Sequence, residues 1–430
     1  MGNIKALLFT GGYRYKKNNG INVGDIAQFE NAILLLKGSM PNIEITAVAH
    51  SLSDECVDES IPLSQALSAY VWGNKNKTII GRIAIVMRSL LLLLNAKRVV
   101  KGKKSSFLNA KGIQALEEIN NADFLFYSGA GALNSMYLIG PVYIWTIAML
   151  LARRLNIPCI LLGQQIGPLN TRLSRWMFKV ALNGAAFVGV RDQFSHQLVS
   201  ELGVDQKKLR LTGDEGLYLP PGDRGKAEEF LDKLNIPRDY IAVQFRLDSN
   251  CPFHERVEDF ARLYSGVAKA LQKPLVFIPF SYADTGSDRE THKLISEKID
   301  APYFLLDLGG QAQFTKAILS MASLAIGVAN HFCAFAASVG VPTVGIHNTP
   351  YMRQKLDGLK QGHQHVISLP LSELSDMVKL LERIVLHASE NAQTGLRDSY
   401  KQRPDGYWEW LDRLEDIGIF SVHCDEREVV

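Results

Sequence analysis

The chain has 430 residues, which is too long for one ordinary hydrophobic core and predicts two or three domains. Hydrophobic residues make up 47% of the chain and charged residues 21%, which is the balance of a globular protein. The formal net charge is only +3, so no overall field favours nucleic acid, and we expect no nucleic-acid partner.

The cysteines lie far apart, without a CxxC pair or a cysteine–histidine cluster, at Cys56, Cys159, Cys251, Cys333 and Cys424. This spacing argues against a disulfide scaffold and a thiolate zinc site, and it suits a reducing cytosol. The N-terminus turns polar after one short apolar run, which indicates a core strand rather than a secretory signal. We therefore expect a cytoplasmic protein with no metal and no cofactor.

Short β-rich runs alternate with helical patterns along the chain. The strands predicted in the first half are Lys5–Phe9, Ile45–Ala49, Phe124–Tyr127, Cys159–Gly163 and Phe187–Val190. The helices predicted there are Ile26–Leu36, Val142–Leu155, Leu173–Leu182 and Ser195–Leu202. The second half continues with strands Ile241–Phe245, Leu275–Ile278, Tyr303–Leu306, Leu324–Gly327 and Thr343–Ile346, and helices Val257–Leu271, Asp288–Lys298, Gln311–Met321 and His331–Val339. Such alternation is typical of parallel sheets with right-handed crossovers.

The most apolar segment is Arg82–Val100. Its uninterrupted apolar stretch is too short to span a bilayer, and Arg88 interrupts it. One interpretation is a buried helix. The other is a helix on a membrane surface, flanked by the cations Lys97, Arg98, Lys101, Lys103 and Lys104.

A change in composition at Asp214–Gly225, rich in Pro, Gly and charge, separates two α/β series of similar size. We predict an α/β fold with two Rossmann-like, doubly wound domains facing a cleft, at residues 1–214 and 225–396. Residues 397–430 are expected to form a closing helix and a tail, with an aromatic cluster at Tyr400, Tyr407, Trp408 and Trp410.

The segment Asn22-Val-Gly-Asp25 precedes an apolar helix and follows a basic, Gly-rich stretch. Gly24 allows a close backbone approach, and Asp25 is a candidate helix cap. The N-terminus of this helix offers N–H groups to an anion or a sugar hydroxyl. Asn22, Gly24 and Asp25 are therefore candidate binding residues, although an ordinary helix cap explains Asp25 equally well.

Three more motifs in the first half combine strand ends with small or polar residues. They are Ser128–Ala132, Gly163–Pro168 and Val190–Ser195. In the last of these, Arg191 is a candidate ligand of an anionic substrate. The alternative is an internal ion pair, with capping by Asp192 or Ser195.

In the second half, Arg246 follows the first predicted strand, where a guanidinium can clamp a phosphate or carboxylate. The alternative is a surface pair with Asp248. Residues 322–346 are predicted to form one βαβ unit, in which His331 lies at a helix N-terminus. The positive end of the helix dipole gathers anions there, whereas a histidine that only caps or packs is the alternative.

Taken in order, NVGD, SGAGAL, GQQIGP, VRDQFS, ELGV, the GD after LRLT, and IGVANHFCAFAASVGVPTVGI resemble the polysaccharide pyruvyl transferase family over roughly residues 20–360. The resemblance implies a GT-B-like fold, with residues 1–214 on the acceptor side and 225–396 on the donor side. It implies transfer of the enolpyruvyl unit of phosphoenolpyruvate onto a sugar of a surface polysaccharide or its lipid-linked precursor.

The partners implied by the resemblance are phosphoenolpyruvate and a glycan or lipid-linked glycan. A peripheral contact with the inner face of the membrane is the expectation that follows from the surface-helix interpretation of Arg82–Val100. His331 matches the family histidine that acts as general acid or phosphate ligand, and Asp25 is a candidate base or acceptor ligand.

The sequence departs from the family pattern at two places. Ala329 stands where the family has an arginine two residues before the histidine, and Asn330 lies between them. Tyr351 stands where the family often has a lysine. Arg353 and Lys355 are candidate replacements for the missing charge, and with Asn330 they join the expected substrate-binding residues.

Two other functional classes remain open at this point. One is a GT-B glycosyltransferase that uses a nucleotide sugar, but the late glutamate expected of that class does not follow His331. The other is a non-catalytic sugar-binding relative, which the missing arginine and lysine favour.

Overall fold

The computed structural model describes residues 3–15, 21–56, 58–73, 79–105, 107–135, 141–247, 256–282, 287–391 and 399–419. The chain forms two compact units. The first comprises Met1–Lys16, Gln28–Glu215 and Pro404–Val430, and the second Lys17–Ala27 and Gly216–Arg403. These units differ from the predicted domain bounds because residues 17–27 group with the second unit and the C-terminal segment groups with the first.

The first unit is built on a sheet with the strand order β10-β9-β8-β6-β1-β3-β5, in which β7 also pairs with β8. Its strands are β1 (Ile4–Phe9), β3 (Ile43–Val48), β5 (Leu63–Ser64), β6 (Phe124–Tyr127), β7 (Ala130–Leu133), β8 (Cys159–Ile166), β9 (Phe187–Val190) and β10 (Leu209–Leu211). The pairs are parallel. Every residue of β6, β8 and β9 is buried, as expected for strands covered on both faces. Two short strands, β2 (Tyr13–Tyr15) and β4 (Asp54–Cys56), form a separate antiparallel pair.

The helices of the first unit follow in chain order. They are α1 (Val23–Ser39), which starts in the second unit, α2 (Ala66–Trp72), α3 (Ile79–Val100), α4 (Ala110–Asn121), α5 (Pro141–Leu155), α6 (Arg172–Gly184), α7 (Gln193–Glu201), α8 (Glu215–Tyr218), which enters the second unit, and the C-terminal α16 (Glu409–Asp416). Asn109 caps α4, and Thr171 with Ser174 forms a capping box on α6. Trp410 of α16 is fully buried, and its ring packs edge-to-face on that of Phe126 with the ring centroids 5.5 Å apart.

The second unit is built on a parallel sheet with the order β13-β12-β11-β14-β15-β16. Its strands are β11 (Tyr240–Gln244), β12 (Leu275–Phe277), β13 (Tyr303–Leu305), β14 (Ala322–Gly327), β15 (Thr343–His347) and β16 (Val366–Pro370). Numbered from β11, this is the 3-2-1-4-5-6 order of a Rossmann fold. The topological switch point therefore lies between β11 and β14.

Helices connect the strands of the second sheet. They are α9 (Arg224–Lys233), α10 (Val257–Leu271), α11 (Asp288–Ser296), α12 (Ala312–Leu319), α13 (Asn330–Ser338), α14 (Pro350–Gly362) and α15 (Met377–Asn391), with short 3₁₀ helices at Leu371–Ser375 and Ser399–Lys401. The prediction of an α/β fold with two parallel sheets is confirmed.

Candidate functional site

The switch point of the second sheet brings Arg246 and His331 to one edge. Strands β11 and β14 pair in parallel, with Gln244 opposite Gly327 in the register. Arg246 follows the end of β11 by two residues, and His331 lies in the first turn of α13 after β14. Ligands of open α/β sheets bind beyond the carboxyl ends of the strands at such a switch point. The two residues therefore lie where a ligand of the second unit is expected.

A bidentate ion pair fixes Arg246 at this edge. Its Nε and Nη2 donate to Asp288 Oδ1 at 2.7 Å and Oδ2 at 3.2 Å. The Asp288 side chain is fully buried, whereas that of Arg246 is 27% exposed. Burial acts to raise the pKa of Asp288, but the Arg246 charge and the surrounding donors lower it below its ordinary value. Asp288 is therefore the observed partner of Arg246; Asp248, the partner considered from the sequence, lies outside the described residues.

A buried glutamine connects this ion pair to helix α13. Gln244 Nε2 donates to Asp288 Oδ2 at 2.9 Å. Its Oε1 accepts from the backbone N–H of Ala329 at 2.9 Å and of Val328 at 3.3 Å. Gln244 thus aligns the loop before α13 with the Arg246 side chain.

Helix α13 begins at Asn330, one residue before the predicted start, and its N-cap residue Ala329 makes no side-chain cap hydrogen bond. Among the residues that the structure describes, Asn330 Oδ1 is buried and has no hydrogen-bond partner. A helix N-terminus without a side-chain cap presents the positive end of its dipole to an anion. Asn330 and His331 occupy that first turn.

The NVGD segment lies against the same sheet edge. Asn22 forms an antiparallel β-bridge with Ser281. The Val23 N–H donates to Phe280 O at 3.0 Å, and the Tyr282 N–H donates to the carbonyl of residue 21 at 2.9 Å. Asn22, Gly24 and Asp25 therefore group with the second unit, whereas the sequence analysis assigned residues 1–214 to the first domain.

Gly24 and His331 are in direct contact. A Cβ atom at position 24 would lie 1.9 Å from His331 Nδ1 and 2.0 Å from Cγ, so only glycine fits beside this imidazole. The side chain of Asn22 accepts from the Gly24 N–H at 3.0 Å and caps α1. The structure thus corrects the sequence interpretation of Asp25 as the cap: Asp25 is the third residue of α1 and is partly buried.

The two candidate cations on α14 make contacts with their own helix. Arg353 Nε donates to Asp357 at 3.3 Å, and its side chain is 68% exposed. Lys355 Nζ lies 4.4 Å from the centre of the Tyr351 ring. An exposed pair four residues apart contributes little to stability, so the Arg353 side chain is able to exchange Asp357 for another anion.

In the first unit, the motifs Gly163–Pro168 and Val190–Ser195 meet Asp214 and Gln28 in one buried hydrogen-bond network. Arg191 donates to Asp214 Oδ2 at 3.1 Å and to the side chain of Gln165, and its Nε lies 3.6 Å from Asp192. Gln28 donates to the other Asp214 oxygen at 2.9 Å. Asp192 also caps α7 by accepting from the Ser195 N–H at 2.7 Å. This arrangement is the internal ion pair with helix capping that the sequence left open as the alternative for Arg191.

Sequence reasoning missed Gln244 and Asp288. Gln244 is a polar residue that ends an otherwise apolar strand, a weak signal of a buried hydrogen-bonding role. Asp288, which opens α11, is indistinguishable in sequence from an ordinary acidic residue in a first helical turn.

Comparisons with known proteins give a family from the sequence and a fold from the structure. A sequence model described as polysaccharide pyruvyl transferase matches residues 22–350. No curated protein sequence matches. Among solved structures, UDP-GlcNAc 2-epimerase from Methanocaldococcus jannaschii is similar with a TM-score of 0.59 and 12% identity, covering 96% of this chain and 99% of that one. A putative UDP-N-acetylglucosamine 2-epimerase from Listeria monocytogenes has a TM-score of 0.56 and 12% identity, covering 93% of each chain. At these identities the likeness concerns the fold, which is GT-B-like with two Rossmann-like domains.

Proposed function

The chain belongs to the polysaccharide pyruvyl transferase family, and from that premise we propose that it moves the enolpyruvyl unit of phosphoenolpyruvate onto a sugar. The acceptor in this proposal is a surface polysaccharide or its lipid-linked precursor. Such an enzyme works in the cytoplasm, where phosphoenolpyruvate is made, at the inner face of the membrane that carries the precursor.

One observation carries the proposal. Arg246 and the N-terminus of α13 lie at the same edge of the second sheet, at its switch point. Phosphoenolpyruvate has a phosphate and a carboxylate, so its site needs at least two anion-binding elements. A guanidinium held in place by Asp288 supplies one, and the first turn of α13, with Asn330 and His331, supplies the other.

The proposed reaction begins with a proton added to the methylene carbon of phosphoenolpyruvate. The neighbouring carbon then becomes an oxocarbenium-like centre, and a sugar hydroxyl attacks it and loses its own proton. Phosphate leaves from that carbon and carries away one hydroxyl proton. A second hydroxyl then attacks the same carbon and completes a ketal that carries a methyl group and the carboxylate, and its proton replaces the one taken from the acid. In this scheme His331 donates the first proton and Asp25 accepts a hydroxyl proton.

The NVGD segment supports these assignments because it places α1 against the histidine. Gly24 lies directly under the His331 ring, and Asp25 follows it in the first turn of α1. A carboxylate and an imidazole on facing first turns suit acid–base work on one bound molecule. Asn22 holds the turn by capping α1.

The family arginine is replaced by Ala329, and we propose that Arg353 supplies the missing charge. Arg353 lies in the first turn of α14, after β15, the strand next to β14. Its described ion pair, with Asp357 of the same helix, is exposed to solvent. Lys355, which contacts Tyr351, is the second candidate for this role.

A ligand panel followed by thermal melting tests this function against its rivals. A ligand that binds only the folded state raises the melting temperature by mass action. Phosphoenolpyruvate is expected to raise it, while UDP-glucose and UDP-GlcNAc are not. A shift with a nucleotide sugar alone would replace the proposal with glycosyl transfer. A shift with free sugars alone would favour a sugar-binding relative.

A further inference from the structure

Helix α3 carries large apolar side chains on its solvent-exposed side, where an ordinary amphipathic helix is polar. Only 22% of its most apolar stretch is buried, although the helix is long and apolar enough to cross a membrane by length and composition. Large apolar side chains lie on its outer surface, with Ile80 at 80% exposure, Leu94 at 69% and Leu90 at 45%. Ile79, Ile83, Val86 and Met87 are also exposed.

These exposed residues share one face. At about 100° per residue, positions 79, 80, 83, 86, 87, 90 and 94 fall within an arc of about 120°. The buried residues Ser89, Leu92, Asn95 and Ala96 fall on the opposite side. We call the exposed arc the α3 apolar face.

The inner side of α3 is fixed to the first unit by polar contacts. Tyr143 of α5 donates to Ser89 Oγ at 3.1 Å, and Ser105 donates to Asn95 Oδ1 at 3.0 Å. Arg88 packs over Gly73, where an added Cβ atom would lie 2.2 Å from its guanidinium. A helix held in this way lies along the surface of its domain and keeps its apolar face outward.

Charge distinguishes between the possible occupants of this face. Residues 79–105 contain no Asp or Glu, and their cations are Arg82, Arg88, Lys97, Arg98, Lys101, Lys103 and Lys104. Lys97 and Arg98 are exposed in the last turn, where they continue the α3 apolar face. A second copy of the chain would bring like charges together. An apolar face bordered by cations alone matches a lipid surface with anionic headgroups.

We propose that the α3 apolar face docks the protein on anionic phospholipid. The large side chains from Ile79 to Leu94 enter the boundary between headgroups and acyl chains, and the cations from Lys97 to Lys104 bind the headgroups. The proposal extends the membrane-surface interpretation of Arg82–Val100 to a defined set of exposed residues. It does not depend on the identity of the donor.

Vesicle co-sedimentation of the full chain tests this docking. We expect binding to vesicles of phosphatidylcholine with phosphatidylglycerol, weak binding to phosphatidylcholine alone, and loss of binding as salt rises. The variants Ile83→Ser/Leu90→Ser and Lys97→Glu/Arg98→Glu should each bind at least about tenfold more weakly, since each removes one of the two attractive contributions. All four side chains are on the outer surface of the helix, so the folded state should survive, as melting curves can verify.

The matched controls are on α15. Val378→Ser/Leu386→Ser removes two comparably exposed apolar side chains, and Lys379→Glu reverses an exposed charge. Both controls should bind like the wild type. Equal binding by the α3 variants and the wild type would overturn the proposal, as would no wild-type binding at low salt. A wild-type dimer that Ile83→Ser/Leu90→Ser converts to monomer, without an effect of lipid, would assign the face to a second copy instead.

Discussion

The imidazole of His331 occupies the space where a side chain at position 24 would begin. A Cβ atom added to Gly24 would lie 1.9 Å from His331 Nδ1, closer than any non-bonded contact allows. The glycine of the NVGD motif and the histidine of α13 are more than three hundred positions apart in sequence, yet they meet within the second unit. This contact fixes the start of α1 against the start of α13.

Gly24→Ala is expected to displace His331 and reduce transfer by about a hundredfold, since a shift of about 1 Å at a reacting group has that effect. Steady-state kinetics with melting curves would measure it. Gly362→Ala is the control, because a Cβ atom there meets nothing within 4 Å. A Gly24→Ala enzyme with wild-type turnover would show that the position of His331 is unimportant.

Arg246→Met is expected to lower the free energy of unfolding by about 3 kcal/mol, because it leaves the buried Asp288 carboxylate without its counter-charge. Adding Asp288→Asn should restore most of that loss. The neutral amide keeps an oxygen for the donors on Gln244, Phe280 and Ser281. Urea unfolding of the wild type, both single variants and the double variant measures this coupling, and strictly additive effects would contradict it.

Glu30 of α1 makes stability depend on pH. Burial, with a smaller contribution from Asp58, raises its pKa from 4.5 to about 7. The folded state therefore keeps this proton to higher pH than the unfolded chain does. The free energy of unfolding is expected to fall as pH rises from about 4.5 to about 7.

Glu30→Gln should remove that slope, leaving the variant more stable than the wild type at about pH 8 and similar to it below about pH 4.5. Urea unfolding at several pH values gives the comparison. Glu117→Gln, at an exposed position of α4, is the control and should keep the wild-type slope. A Glu30→Gln variant with an unchanged slope would show that another group carries the pH dependence.

Arg353→Ala is expected to weaken phosphoenolpyruvate binding by about 1.5–3 kcal/mol, the range for a hydrogen bond to a charged group. Stability should change little because the side chain is 68% exposed. Lys355→Ala should have this effect instead if Lys355 is the ligand. Lys360→Ala, an exposed cation of the same helix, serves as control. If the Arg353→Ala/Lys355→Ala double variant bound phosphoenolpyruvate with wild-type affinity, neither side chain would replace the family arginine that is absent at Ala329.

Strands and helices with strong apolar patterns were predictable from sequence. Phe124–Tyr127 and Val257–Leu271 have the predicted bounds. Strand β16 was missed because Val366–Pro370 mixes apolar and polar residues at the edge of its sheet. From the sequence, residues 128–132 are the small-residue end of a strand, whereas in the structure Ala130–Leu133 forms the separate strand β7. This strand was not predictable because Ala and Gly carry little strand propensity.

The candidate site was predictable only in part. Local motifs identified Arg246 and His331, because each follows an apolar strand at a predictable sheet edge. The place of the NVGD segment was not predictable, since the hydrogen bonds of Val23 to Phe280 and of the preceding Ile21 to Tyr282 span more than two hundred and fifty residues. No local pattern specifies which unit a segment joins when its partner is so distant in sequence.

Calorimetric titration of phosphoenolpyruvate tests the central claim most directly, with the wild type compared with the Arg246→Met/Asp288→Asn variant. The variant keeps a neutral, hydrogen-bonded residue at position 288 and lacks only the cation that we assign to the donor. We predict that the wild type binds phosphoenolpyruvate and that the variant binds it about 10- to 100-fold more weakly, the equivalent of about 1.5–3 kcal/mol. Equal affinity in both proteins, or no binding to the wild type under conditions where UDP-GlcNAc binds, would contradict the account.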